Sequence, residues 1–256
     1  MKPLSRMATG LATAAALTLG GLPAQAFDLG AMTAEERAAF GAEVRAYLME
    51  NPEVILEAVN LLEQQQAASE ANRDLAMVAA NLEELHNDGY SWVGGNPEGD
   101  ITLVEFMDYR CGYCRKAAPE VAKLLEEDGN IRLIVKEFPI LGEASVLASR
   151  FAVAAKHVAG DEAYKQVHEA LVAISSDVNE VTLRRLAEGL SLDADTILAA
   201  MDTEEVTAEL RRTRALAQNL AISGTPTFVL GNALLRGYLP ADQLKIIVDE
   251  QREENS

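Results

Sequence analysis

The sequence predicts an α/β domain that carries a helical insertion and follows an N-terminal helical segment. Three observations predict it. Residues 101–109 and 131–138 read as strands flanking a helical stretch at 117–127. A long helical tract at about 143–220 separates them from two short strands, 227–230 and 233–236, joined across Gly231-Asn232, a hairpin signal. Ahead of all this, 33–85 has apolar residues at helical spacing. With 256 residues, 49 % of them hydrophobic, the chain can bury a good-sized core and add an appendage.

The first 26 residues have the form of a signal peptide. Lys2 and Arg6 make the basic start, 11–22 is apolar and uncharged, and Ala24-Gln25-Ala26 is a small-x-small cleavage site. That run is shorter than the ~20 residues a spanning helix needs. The expectation is an exported chain beginning near Phe27.

Residues 27–90 form the predicted helical segment. Thr33 and Glu36 make a capping-box pattern for a helix over 33–50, with Phe40, Val44, Tyr47 and Leu48 on one face. Asn51-Pro52 ends it and starts a second helix running toward Leu85. Its stripe, Ile55-Val59-Leu62 and Leu75-Val78-Leu82-Leu85, is narrow. Such a stripe suits either self-association or a strap along the chain's own domain. Gly and Asn-Pro at 87–100 read as a linker or turn, which Trp92 packs onto a domain. The main domain is expected over 91–256, with its insertion at about 142–220. Polar breaks at 175–179 and 191–195 divide the insertion, and a last helix is expected from about 240 to 250.

Charge narrows the function classes. Against 22 Lys and Arg stand 40 Asp and Glu, a net charge of −18, which opposes binding to nucleic acid or an anionic membrane surface. His86, His157 and His168 fall at no ligand spacing with the cysteines, and the methionines form no cluster, so no metal site and no cofactor is read.

Both cysteines of the chain, Cys111 and Cys114, lie in "FMDYRCGYCRK". A disulfide across two residues closes too small a loop to constrain the unfolded chain much, so a structural clip is disfavoured. Zinc is disfavoured by the absence of a second cysteine pair. A redox couple remains. Cys111 falls where a strand ends and a helix begins, and a helix N-terminus favours the thiolate, with Arg115 and Lys116 adding positive charge nearby. Cys114 lies on the same helical face and can attack a mixed disulfide formed by Cys111. On the first strand, alternation places Glu105 on the opposite face from Val104 and Phe106.

These features resemble the DsbA-like branch of the thioredoxin superfamily. Val104-Glu105-Phe106, Cys111-Gly112-Tyr113-Cys114 and Ser223-Gly224-Thr225-Pro226-Thr227-Phe228 carry the resemblance, in that order, over roughly 101–253. It implies a thioredoxin-like fold in which Cys111 attacks and Cys114 resolves. It also implies a cis Thr225-Pro226 bond facing the dithiol, with Thr225 main-chain groups free for a substrate strand. Glu105 becomes a buried acid that relays the Cys114 proton; the plain alternative is a solvated strand glutamate. Pro119, inside the active-site helix, reads as structural. "VRAYLMENPEVILEAV" is similar to the N-terminal helices of the suppressor-of-copper-sensitivity group, ScsC, which implies oligomerisation, as a homotrimer.

Gly112-Tyr113 and Thr225 resemble disulfide isomerases more than the strongest oxidases. The resemblance therefore implies a periplasmic isomerase or reductase acting on exported cysteine-containing proteins and reset by a membrane redox partner. A DsbA-like oxidase and a copper-binding or holdase chaperone stay open as alternatives, since copper(I) favours soft thiolates.

Overall fold

A computed structural model describes residues 29–174 and 176–254; the signal-peptide reading at 1–26 lies outside the described residues. The chain divides into two compact units, one ending at Leu62 and one beginning at Glu63.

In the first unit, α1 (Ala34–Glu50) starts on the expected capping box. The Thr33 hydroxyl accepts from the Glu36 amide at 3.2 Å, and the Glu36 carboxylate accepts from the Thr33 amide at 2.8 Å. Asn51 closes α1: its amide and its side chain both donate to the Tyr47 carbonyl, at 2.8 and 2.9 Å, and its own carbonyl accepts from the Val54 amide at 3.2 Å as the next helix begins. Helix α2 (Glu53–Ala80) follows. No residue of α1 is buried, and Phe40, Val44, Tyr47, Ile55, Val59 and Leu62 are all exposed. That is a continuous supply of large apolar side chains without cover in the single chain.

The second unit holds the last part of α2, α3 (Leu82–His86) and a five-stranded sheet in the order β1-β3-β2-β4-β5. The strands are β1 (Trp92–Gly95), β2 (Ile101–Met107), β3 (Ile131–Glu137), β4 (Thr227–Leu230) and β5 (Ala233–Arg236). Only the β2–β3 pair is parallel, and α4 (Gly112–Asp128) connects the two. Helices α5 (Glu143–Ala173), α6 (Glu180–Gly189), α7 (Ala194–Ala200) and α8 (Glu204–Asn219) form the insertion, and α9 (Ala241–Glu254) ends the described chain. Gly160, at φ 85°, breaks α5 into two runs.

Strand alternation separates two cores. Leu103 and Met107 of β2 pack with Leu133 and Val135 of β3 and with Val121 and Leu124 of α4. Val104 and Phe106 point the other way, to Ile134, Val229, Leu216 and Leu220. Val78 of α2 and Leu85 of α3 join this second core and are fully buried. Of the second half of the predicted self-association stripe, Val78 and Leu85 therefore have their partner within the chain, while Leu75 and Leu82 stay exposed. Burying Val78 and Leu85 is worth ~1.5–3 kcal/mol each.

The expected linker is also corrected. Residues 92–95 form an edge strand antiparallel to β3, with Trp92 opposite Val135 and stacked on Tyr164 at 5.4 Å. Just before it, Asp88 accepts from the amides of Tyr90 and Ser91 at 3.0 and 2.9 Å and pairs with the buried Lys136 ammonium, which also donates to the Glu84 carbonyl at 2.8 Å. Burial pushes the Asp88 carboxyl up, but Lys136 and Ser91 outweigh it and hold the pKa below the ordinary value. Arg236 of β5 clamps Asp74 of α2 through two bonds of 2.6 and 2.9 Å. Residues from Asp74 in the last part of α2 onward are thus built into the second unit.

Candidate active site

β2 delivers the chain to Cys111 through a tight turn built on Asp108. One carboxylate oxygen of this fully buried residue accepts from the Arg110 amide at 2.7 Å. The other accepts from the amides of Ile140 and Leu141 at 2.8 and 3.0 Å, tying the turn to the loop after β3. The Cys111 amide donates to the Asp108 carbonyl at 3.0 Å. Sequence reasoning passed over Asp108, although Asp ahead of a turn is a known local signal.

Cys111 is the N-cap of α4. Its sulfur accepts from the Cys114 amide at 3.4 Å, so the free N–H of the first helical turn points at it. The same sulfur donates its S–H to the Thr225 carbonyl at 3.1 Å. As a thiolate or in a mixed disulfide, Cys111 has no proton to donate, and the Thr225 carbonyl is then released from this bond. Thr225-Pro226 is cis, and the Gly237 amide donates to the Pro226 carbonyl at 2.9 Å.

Cys114 lies deeper, 1 % exposed, and both cysteines are free thiols. Burial pushes the Cys114 thiol well above the ordinary range, against the Asp108 main chain and the Thr225 side chain, which favour the thiolate. Glu105 and Cys111 raise it further. Such a thiol does not ionise unaided at neutral pH and needs a base.

Glu105 sits on the face of Leu103 and Met107, the face that α4 covers, and is 5 % exposed. The solvated-glutamate alternative is therefore excluded. Burial, then the Glu137 carboxylate, pushes its pKa from 4.5 up to about 8. Stability from this group is complete below pH 4.5 and is lost as pH rises through about 8, because the folded chain holds a proton that the unfolded chain releases. Glu105→Gln is expected to stabilise the protein by on the order of a few kcal/mol above pH 8 and little at pH 4. Denaturant unfolding at both pH values checks this; an equal gain at both would refute it.

Gly112 and Tyr113 occupy the exposed first turn of α4, and the Tyr113 ring is 64 % exposed beside the dithiol. A Cβ at Gly112 would meet nothing, so no packing demand requires glycine there. Arg115 donates to the Ile174 carbonyl at 3.3 Å, and the Lys116 ammonium lies 4.0 Å over the Tyr238 ring. Both predicted cations thus have partners elsewhere. The structure brings Cys111, Cys114 and Thr225-Pro226 together, with Glu105 behind Cys114. Among the described residues, no group of three or more His, Cys, Asp or Glu could hold a metal ion.

A sheet with this order, a dithiol capping the helix that joins its parallel pair, and a cis proline facing that dithiol together define a thioredoxin-like fold with an insertion. The model of the DSBA-like thioredoxin domain matches residues 102–249, and that of the copper resistance protein ScsC N-terminal domain matches 36–69. The chain belongs to the DSBA-like thioredoxin domain family.

It is 44 % identical to a thioredoxin-like oxidoreductase from Silicibacter pomeroyi DSS-3, a match covering 67 % of this chain and 97 % of that one with a TM-score of 0.63. Proteus mirabilis ScsC in a transitional conformation is 28 % identical and matches 88 % of this chain and 98 % of its own, with a TM-score of 0.64. Among curated proteins, the Na(+)/H(+) antiporter NhaA 3 of Salinispora tropica is 29 % identical over 61 % of this chain. The chain spans only 24 % of that relative's length.

Proposed function

We propose that the chain is a periplasmic thiol-disulfide oxidoreductase that reduces and isomerises disulfides in exported cysteine-containing proteins through Cys111 and Cys114. The observation that carries this reading is the cap geometry. The Cys111 sulfur sits at 3.1 Å from the Thr225 carbonyl, while Cys114 lies behind it. A Cys111 thiolate attacks a substrate disulfide; one substrate sulfur joins Cys111 and the other leaves as thiolate. In isomerisation that thiolate attacks elsewhere and finally displaces Cys111. In reduction Cys114, its proton taken by Glu105, attacks Cys111 and releases the substrate, and a membrane redox partner then resets the dithiol.

The preference for isomerisation over oxidation rests on Gly112-Tyr113, on Thr225 and on the uncovered apolar face of the first unit. That face supports self-association, and the similarity of 36–69 to the ScsC N-terminal domain is the ground for reading it as a homotrimer with several sites around one space. Scrambled multi-disulfide substrate, incubated with the reduced protein, is expected to regain activity. Disulfide formation in a reduced substrate without any unscrambling would favour the oxidase. Thr225→Val removes a hydroxyl beside the two sulfurs, and activity is expected to shift from isomerisation toward that of an oxidase. Unchanged isomerase activity and an unchanged redox potential, measured against glutathione, would remove Thr225 from any tuning role.

A further inference from the structure

Glu137 is a second carboxylate buried on the dithiol face of the sheet, and the mechanism above does not use it. In the parallel β2–β3 register Glu105 lies opposite Val135, and Met107 lies opposite Glu137. Glu137 therefore stands one same-face step beyond the neighbour of Glu105. Three hydroxyls converge on it: Tyr109 at 2.7 Å and Tyr164 at 2.6 Å on Oε1, and Ser149 at 2.6 Å on Oε2. The Tyr109 oxygen also lies 3.0 Å from His168 Nδ1. Tyrosine has one proton; donated to Glu137, it leaves His168 Nδ1–H to donate to Tyr109. Every hydroxyl in this cluster is thus directed at a negative charge on Glu137. A structural role alone would be served as well by an amide, which would need no such convergence of donors.

We propose that Glu137 is a positioning residue for disulfide exchange, a buried carboxylate whose negative charge sets when Glu105 exchanges a proton with Cys114. The proposal rests on the dithiol reading above. In the resolving step the Cys114 thiol gives its proton to the Glu105 carboxylate. The Cys114 sulfur then bonds to Cys111, and the substrate sulfur leaves with the electron pair of the broken bond. Glu105 returns its proton to solvent before the next turn. A charge on Glu137 makes Glu105 a stronger base for a thiol as resistant to ionisation as Cys114.

Burial pushes both carboxyls up, Glu137 to about 7 and Glu105 to about 8, and the three donated hydrogen bonds that favour the charged form are made to Glu137. The titratable and charged groups facing this pair are Tyr109 after β2, Cys114 of α4, Tyr164, His168 and Lys156 of α5, and Glu209 of α8. Lys156 is bonded to Glu209 at 2.6 Å, which offsets the latter's charge. Burial holds His168 down at about 4, neutral at working pH.

The test is single-turnover reaction of the full reduced protein with an aromatic disulfide whose thiolate is coloured. The second coloured thiolate reports attack by Cys114. Its rate in the unaltered protein is expected to rise through a midpoint near pH 8, and Glu105→Gln to lose that midpoint. Glu137→Gln should keep it but move it down by about one pH unit, the effect of removing one nearby buried charge. Ser149→Ala, which removes one donor and leaves the carboxylate, should move it down by less. An unchanged midpoint in folded Glu137→Gln would overturn the proposal; if that variant does not fold, an unchanged midpoint in Ser149→Ala would overturn it. A midpoint that survives Glu105→Gln would overturn it too, while leaving Cys111 as the nucleophile. Loss of the first coloured thiolate in the unaltered protein would instead refute the dithiol reading.

Discussion

Cys111→Ser is expected to reduce thiol-disulfide turnover to the uncatalysed rate. Only Cys111 combines the position at the helix N-cap, an amide directed at its sulfur and the cis-proline loop in front of it. Cys114 cannot replace it, because burial and the carboxylate behind it hold its proton. A serine hydroxyl at 111 would keep the cap, so the fold should survive and the loss should be chemical. Insulin reduction and substrate unscrambling should fall together. Retained turnover in a folded Cys111→Ser protein would mean that the nucleophile is wrongly assigned.

The second large effect concerns the first unit. A chain beginning at Glu63 is expected to remain folded, monomeric and able to reduce disulfides, but to isomerise poorly. The start point matters. A cut near Gly95, where the sequence suggests a linker, would remove edge strand β1, the Asp88 partner of Lys136, and Val78 and Leu85 from the second core. Lys136 would be left buried without its counter-charge, at a cost of ~3–5 kcal/mol. A cut before Glu63 takes away only the first unit, whose large apolar side chains are exposed. Between copies of the chain their burial contributes ~25 cal/mol per Å2, before association entropy is subtracted. Light scattering checks this: the intact chain should be a trimer and the shortened one a monomer. A monomeric intact chain at micromolar concentration would refute the assembly, and the preference for isomerisation would lose its main support.

The dithiol was legible because its parts are local. Cys111 and Cys114 share one helical turn, and strand alternation turns Glu105 away from Val104 and Phe106; its burial and the cis Thr225-Pro226 loop facing the dithiol were expected from the resemblance alone. The insertion was legible from helical spacing, and the observed 143–219 agrees with the expected range to within a residue at each end. What failed depends on distant partners. Val78 and Leu85 show the same spacing whether they meet a second chain or the back of their own sheet, and only tertiary packing decides. Trp92–Gly95 is too short and too rich in glycine to read as a strand, and it exists because β3 offers it an edge. Glu137 ends a strand as an ordinary charged residue would; its importance comes from donors on α5 and in the turn after β2. Asp108 had a readable turn signal, but its hold on Ile140 and Leu141 did not.

The central claim is that Cys111 attacks substrate disulfides and Cys114 resolves the product. Cys114→Ser blocks resolution and leaves attack intact, so mixed disulfides should accumulate. The most direct measurement is peptide mapping by mass spectrometry of the adducts that Cys114→Ser forms with an exported cysteine-containing protein. The account predicts a disulfide from Cys111 to a substrate cysteine, released by reductant and absent from Cys111→Ser. A folded Cys114→Ser protein that forms no such adduct would contradict it.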